Sequence, residues 1–157
     1  MRRPFAPTIL AVLVLAACSS LTYSNTRLDS LQAELNRRYG LWKNLNIASY
    51  QYRFERACAC DSSLTRPVMV TVVDSAIAGV AYADSGTAVA DSTLQSYFTV
   101  EGLFYQVQAA INLRTDSLGV AYDPVYHYPT LIVIDQDFRQ LGDELSLFAS
   151  NLTPKQP

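Results

Sequence analysis

The chain reads as an α+β domain: an antiparallel sheet of about five to six strands with two helices packed on one face. Three observations predict it. Tyr50, Tyr52 and Phe54 alternate with Gln51, Arg53 and Glu55, the period of a half-buried strand. Two other segments carry apolar residues at spacings of three and four, the period of an amphipathic helix. The β-branched run Val68 to Val73 leads through a tight turn at Asp74-Ser75 into a returning strand, Ile77 to Tyr82. Half of the 157 residues are apolar and 17% are charged, which excludes a wholly disordered chain. One domain is the expectation at this length.

Arg2 and Arg3 form a positive region ahead of Ile9 to Ala17, nine uninterrupted apolar residues. A membrane-spanning helix needs about twenty. Residues 1–17 are therefore read as a signal peptide. Leu15-Ala16-Ala17-Cys18 resembles a bacterial lipobox: an aliphatic residue, two small residues and a cysteine. That resemblance implies cleavage before Cys18 and acylation of its thiol, so the expected partner is the membrane, held through lipid on Cys18. Two or more acyl chains anchor durably, at about 0.8 kcal/mol per buried methylene. Ser19 follows, where an aspartate would suggest inner-membrane retention. The expected location is thus the cell envelope, with the outer membrane facing the periplasm favoured. The competing reading is an ordinary secretory signal with an incidental cysteine. Residues 18–25 are read as lipidated N-terminus and tether, and 26–157 as the domain.

With Cys18 assigned to lipid, Cys58 and Cys60 remain. In an oxidising compartment a disulfide is the default. In a regular strand, residues i and i+2 lie about 6.6 Å apart, at the edge of the roughly 4.4–6.8 Å that a disulfide spans. Either the strand bends or ends near Cys58, or the thiols are free, or they hold a metal. A single histidine and the lack of a second cysteine pair count against the metal. A ring of three residues adds only about 1.6 kcal/mol by loop entropy. A redox-active pair is the functional alternative, since strained bridges have higher potentials.

A helix is expected after a cap at Asn25 or Thr26, with Leu28, Leu31, Leu35, Tyr39, Trp42 and Leu45 on its apolar stripe and Gly40 weakening, kinking or ending it. In the first strand, parity puts Arg56, Cys58 and Cys60 on the aromatic side, under or beside the core. Residues 61–67 read as a loop, and 83–96 as an exposed loop or a weak extra strand. Thr99 caps a second helix, with Glu101 in its first turn and Leu103, Phe104, Val107, Ala110 and Ile111 inward. Strands follow at Leu118 to Tyr122, Thr130 to Ile134 and Leu145 to Leu152, the first two joined by a segment stiffened by Pro124 and Pro129.

Together these residues resemble an uncharacterised domain family of bacterial exported proteins and lipoproteins. The elements are Tyr50-Gln51-Tyr52, Cys58-Ala59-Cys60, Pro67 to Val72, Thr99 to Phe104, Tyr122 to Thr130 and Ile134-Asp135, across roughly residues 40–152. Ser75 and His127 stand where family members tend to carry glycine. The resemblance implies a positive backbone angle at His127. It implies no activity.

Chemistry is sparse. His127 is the only histidine, with Asp123 and Asp135 as topological candidates for orienting it in a hydrolase. No nucleophile elbow, phosphate loop or zinc-protease motif is present, and no cofactor is expected. Without residues 1–17, which hold two of the 12 basic residues, the net charge is about −4, against a nucleic-acid partner. The ten tyrosines point either to core packing or to recognition. The candidate surface is Tyr50, Tyr52, Tyr126, His127 and Tyr128. The expected function is a non-enzymatic envelope lipoprotein that offers the open face of its sheet, or its tyrosine-bearing hairpin, to an envelope protein or polymer. A thiol–disulfide protein using Cys58 and Cys60 is second, and a small hydrolase third.

Overall fold

The computed structural model describes residues 12–155, with side chains from residue 26 onward. Residues 1–11 of the expected signal peptide and the thiol of Cys18 lie outside the described residues. The elements are α1 (Val12–Asn44), β1 (Tyr50–Cys58), α2 (Ser62–Thr65), β2 (Val68–Val73), β3 (Ala76–Tyr82), a 3-10 turn (Asp91–Ser96), α3 (Val100–Leu113), β4 (Ser117–Tyr122), β5 (Pro129–Asp135) and β6 (Leu145–Pro154). The six strands form one antiparallel sheet in the order β3-β2-β1-β6-β5-β4.

The aromatic side of β1 sets the layering. Tyr50, Tyr52 and Phe54 stand opposite Val72, Val70 and Val68 of β2, and Phe54 also faces Ala149 of β6. All seven are buried. This row is the largest apolar area on the sheet, and the two long helices cover it with Leu35 and Trp42 from α1 and Leu103, Phe104, Val107, Ala110 and Ile111 from α3. The inward face of α3 is the one its periodicity predicts. The Thr99 hydroxyl accepts from the Gly102 amide, and Arg114, in the left-handed region at φ 54°, stops the helix.

Three expectations need correction. The first helix does not begin at Asn25 or Thr26: the backbone is helical from Val12, through the segment read as a tether. No glycine or proline lies between Pro7 and Gly40, and alanine and leucine are strong helix formers. Gly40 does not end the helix, and Leu45 lies beyond it, 40% exposed. Residues 61–67 are not all loop, because the Asp61 carboxylate accepts from the Ser63 amide and caps the short α2.

Arg27 of α1 reaches the free edge of β4, donating to the carbonyls of Asp116 (3.4 Å) and Leu118 (3.2 Å). A cation on an edge strand discourages further strand pairing. At the β2–β3 turn, Asp74 and Ser75 both have positive φ, 50° and 66°, the geometry that favours glycine in a two-residue hairpin. Ser75→Gly should raise stability by about 0.5 kcal/mol. It relieves left-handed strain of about 1 kcal/mol, partly offset by a freer unfolded chain. The urea midpoint should rise with its slope unchanged.

Candidate functional site

Three of the five tyrosine and histidine positions expected at a recognition surface are core. Tyr50 and Tyr52 are 0% exposed and Tyr128 is 2% exposed. The side of β1 on which Tyr50 and Tyr52 project is the side the helices cover, because it offers the most apolar area to bury. Their hydroxyls are satisfied locally. Tyr50 accepts from the Val100 amide (2.8 Å) and donates to Glu101 (3.4 Å). Trp42 Nε1 donates to the same carboxylate (3.0 Å). The Tyr52 hydroxyl donates to the Phe98 carbonyl. Glu101, read from the sequence only as a first-turn acid, thus fastens α1 and β1 to the start of α3. Burial raises the Tyr50, Tyr52 and Tyr128 hydroxyls above the ordinary phenol range.

His127 and Tyr126 are half-buried at the β4–β5 turn. His127 has φ 66°, the left-handed conformation that the family resemblance implies. The Asp123 carboxylate accepts from the Val125 amide (2.8 Å) and the Tyr126 amide (2.6 Å), so it serves the turn and not the imidazole. Asp135 pairs with Ser117 at the opposite end of this hairpin. The side chain against His127 Nδ1 is the Arg38 guanidinium, at 3.5 Å. Arg38 also lies over the Tyr122 ring (5.3 Å) and bonds Glu34 (2.7 Å). Hydrogen bonds from Arg37 and Arg38 hold the Glu34 carboxyl down at about 2. The acids named for a hydrolase are therefore not brought to the histidine.

Cys58 is the last residue of β1, and the chain bends at Ala59 and Cys60. The bend brings the two Cα atoms to 5.2 Å, and the pair is bridged. Cys58 is half-buried, but Cys60 is exposed rather than under the core, because parity stops where the strand does. Arg56 does follow the aromatic side. It is half-buried against the rings of Phe54, Tyr97 and Phe98 and donates to the Ser96 carbonyl. Desolvation lowers its pKa. Among the described residues no three His, Cys, Asp or Glu side chains group to hold a metal ion.

Two further surfaces are present: one, the open face of the sheet, was expected without its residues, and the other was missed. The first is the sheet face away from the helices. There Phe148 (42% exposed) of β6 stands beside Leu131 of β5, with Val133 (37% exposed) further along β5, next to Arg53 and Glu55 of β1. The signal in the sequence was Phe148 itself, an aromatic at the outward parity of Ser146 and Ser150. The second is a shallow groove of about 260 Å³ between α1 and α3, with Tyr39, Phe104, Tyr105 and Gln108 in its wall. Gln108 of this wall forms a reciprocal pair with Gln32 of α1, each donating to the other at 2.8 Å.

The fold and these surfaces define a class: a six-stranded antiparallel sheet covered by helices on one face. Residues 34–154 match the family described as a family of unknown function, DUF6174, and the chain belongs to it. No curated protein and no solved structure matches the chain.

Proposed function

We propose that this protein is a lipid-anchored component of the bacterial cell envelope, whose folded body binds an envelope protein through the open face of its sheet. The anchoring half of the reading is supported by the order Arg2-Arg3, apolar run and Leu15-Ala16-Ala17-Cys18. Among the described residues no helix is long and apolar enough to cross a membrane. The binding half rests on one observation. Among the described residues the helices cover one side of the sheet, and the other side presents Phe148 and Val133 beside Leu131, rimmed by Arg53 and Glu55. An apolar centre with a charged rim is the composition of a protein interface. It is favoured over the tyrosine-bearing hairpin because Tyr128 is enclosed.

Two measurements test it. Metabolic labelling with a clickable fatty acid should tag the wild type, and Cys18→Ser should lose the tag. In cells, a photo-crosslinking residue at Phe148 should give a discrete adduct. The same residue at Ala33, on the exposed side of α1, should not. Equal crosslinking at both positions would remove the open face as the binding surface.

A further inference from the structure

We propose that the Cys58–Cys60 bridge is a thiol–disulfide exchange site that accepts thiols from cationic partners and disfavours anionic ones. This stands apart from the binding role of the open sheet face. It rests on three features of the end of β1.

The first is access. Cys60 is exposed and Cys58 is half-buried. Exposed disulfides are the labile ones.

The second is structural independence. The bridge closes a ring of three residues, the sequence separation being two. Such a ring restricts the unfolded chain very little. Cys58 forms the last pair of the β1–β6 ladder, opposite Leu145, and Cys60 lies beyond the sheet. The bond can open without disturbing the aromatic row, which ends at Phe54.

The third is the charge around it. A Cβ built on Gly142 would lie 3.5 Å from the Cβ of Ala59, so the β5–β6 loop rests against the Cys-Ala-Cys bend. That loop is tied by its own carboxylates. Asp143 accepts from the Asp137 amide (3.0 Å) and Glu144 from the Gly142 amide (3.0 Å). Asp61 follows Cys60 directly. The loop's one cation, Arg139, is paired with Asp137 at 3.0 Å. Asp135 is pushed up by burial and then by Asp143, Glu144, Asp116 and Asp137, as a crowd of like charges requires. A surface of one sign attracts reactants of the other and repels its own.

The chemistry balances with a dithiol partner. A partner thiolate attacks Sγ of Cys60; the Sγ–Sγ bond breaks, and Cys58 leaves as thiolate and takes a proton from water. The partner's second thiolate attacks the mixed disulfide and releases the Cys60 thiolate, which is protonated in turn. The partner loses two electrons and becomes a disulfide, and the Cys58–Cys60 pair gains them. The partner class is a protein dithiol flanked by lysine or arginine.

The test uses the full chain, folded and oxidised, with cysteamine as the cationic thiol and glutathione as the anionic one. Rates are compared at equal thiolate concentration. Alkylation and peptide mass mapping report Cys58 and Cys60 separately from Cys18. The bridge should open with the far-UV dichroism unchanged, and cysteamine should react about tenfold faster at low salt. High salt should shrink that ratio, as should Asp143→Asn with Glu144→Gln, which keep the loop's acceptors and remove two charges. In Cys58→Ser the Cys60 thiolate should attack cystamine, the disulfide of cysteamine, and remain as a mixed disulfide while one cysteamine thiolate leaves. A bridge that opens only in denaturant makes the pair a structural clip and overturns the proposal. Equal rates for the two thiols overturn the charge selection.

Discussion

Tyr52→Ala should destabilise the folded body by about 4 kcal/mol, the cost of emptying a fully enclosed aromatic site. The side chain is 0% exposed and sits between the rings of Tyr50 (6.1 Å) and Phe54 (6.4 Å), with Val70 opposite it on β2. Removal leaves a void in the middle of the row on which the helices pack. It also strips the Phe98 carbonyl of its donor just before the start of α3. Domains are stable by only about 5–15 kcal/mol, so this one change uses a large share. The melting temperature should fall by about 15 °C. Tyr52→Phe keeps the ring and loses only the hydroxyl. It should cost about 1 kcal/mol, the penalty of an unpaired carbonyl. Urea denaturation of the three chains separates the two contributions. A Tyr52→Ala loss under about 1 kcal/mol would mean that the row between β1 and the helices is not the core of this fold.

The same strand shows why the sequence yields the fold more readily than the site. Alternation over Tyr50 to Glu55 identifies a strand and its two faces, and the stripe over Leu103 to Ile111 identifies a helix and its inner face. Both are local periodicities, and both agree with the structure. Whether the tyrosine side faces helices or solvent is decided by which side offers more apolar area, a property of six strands together. Tyr50, Tyr52 and Tyr128 were therefore open to a surface reading and proved to be core. Phe148 shows the converse. Its parity places it outward, but its importance depends on Leu131, a strand away and remote in sequence. Cys60 could not be placed because parity holds only while the strand continues. The turn chemistry was legible: the family resemblance implies a positive φ at His127, and the backbone has one. The groove between α1 and α3 was not, because only helix packing brings Tyr39 and Tyr105 to line one groove.

Alkali should unfold this protein with a steep dependence on pH, and the buried tyrosines set its sign. Tyr50 and Tyr52 are held above the ordinary phenol range, in both cases first by desolvation. Their folded pKa values are raised, so the stability they confer is fully present below about pH 10, where the unfolded phenols are still protonated. Above that the unfolded chain releases protons that the folded chain retains. Each such tyrosine then lowers the unfolding free energy by about 1.4 kcal/mol per pH unit, and the two together by about 2.7. The loss continues until pH passes the folded values. Tyr122, pushed up to about 12 by burial and then by Glu34, adds a smaller share because it is only half-buried. Urea denaturation at a series of pH values from about 8 to about 11.5 measures the slope. Tyr50→Phe distinguishes titration from packing. At neutral pH it should cost about 1 kcal/mol, because the Val100 amide loses its acceptor. Above about pH 10.5 its slope should be shallower by about 1.4 kcal/mol per pH unit, so the variant and wild type converge as alkali is added. Parallel curves would show that Tyr50 gives up its proton as freely in the folded chain as in water, and that the contact between α1, α3 and β1 is open to solvent.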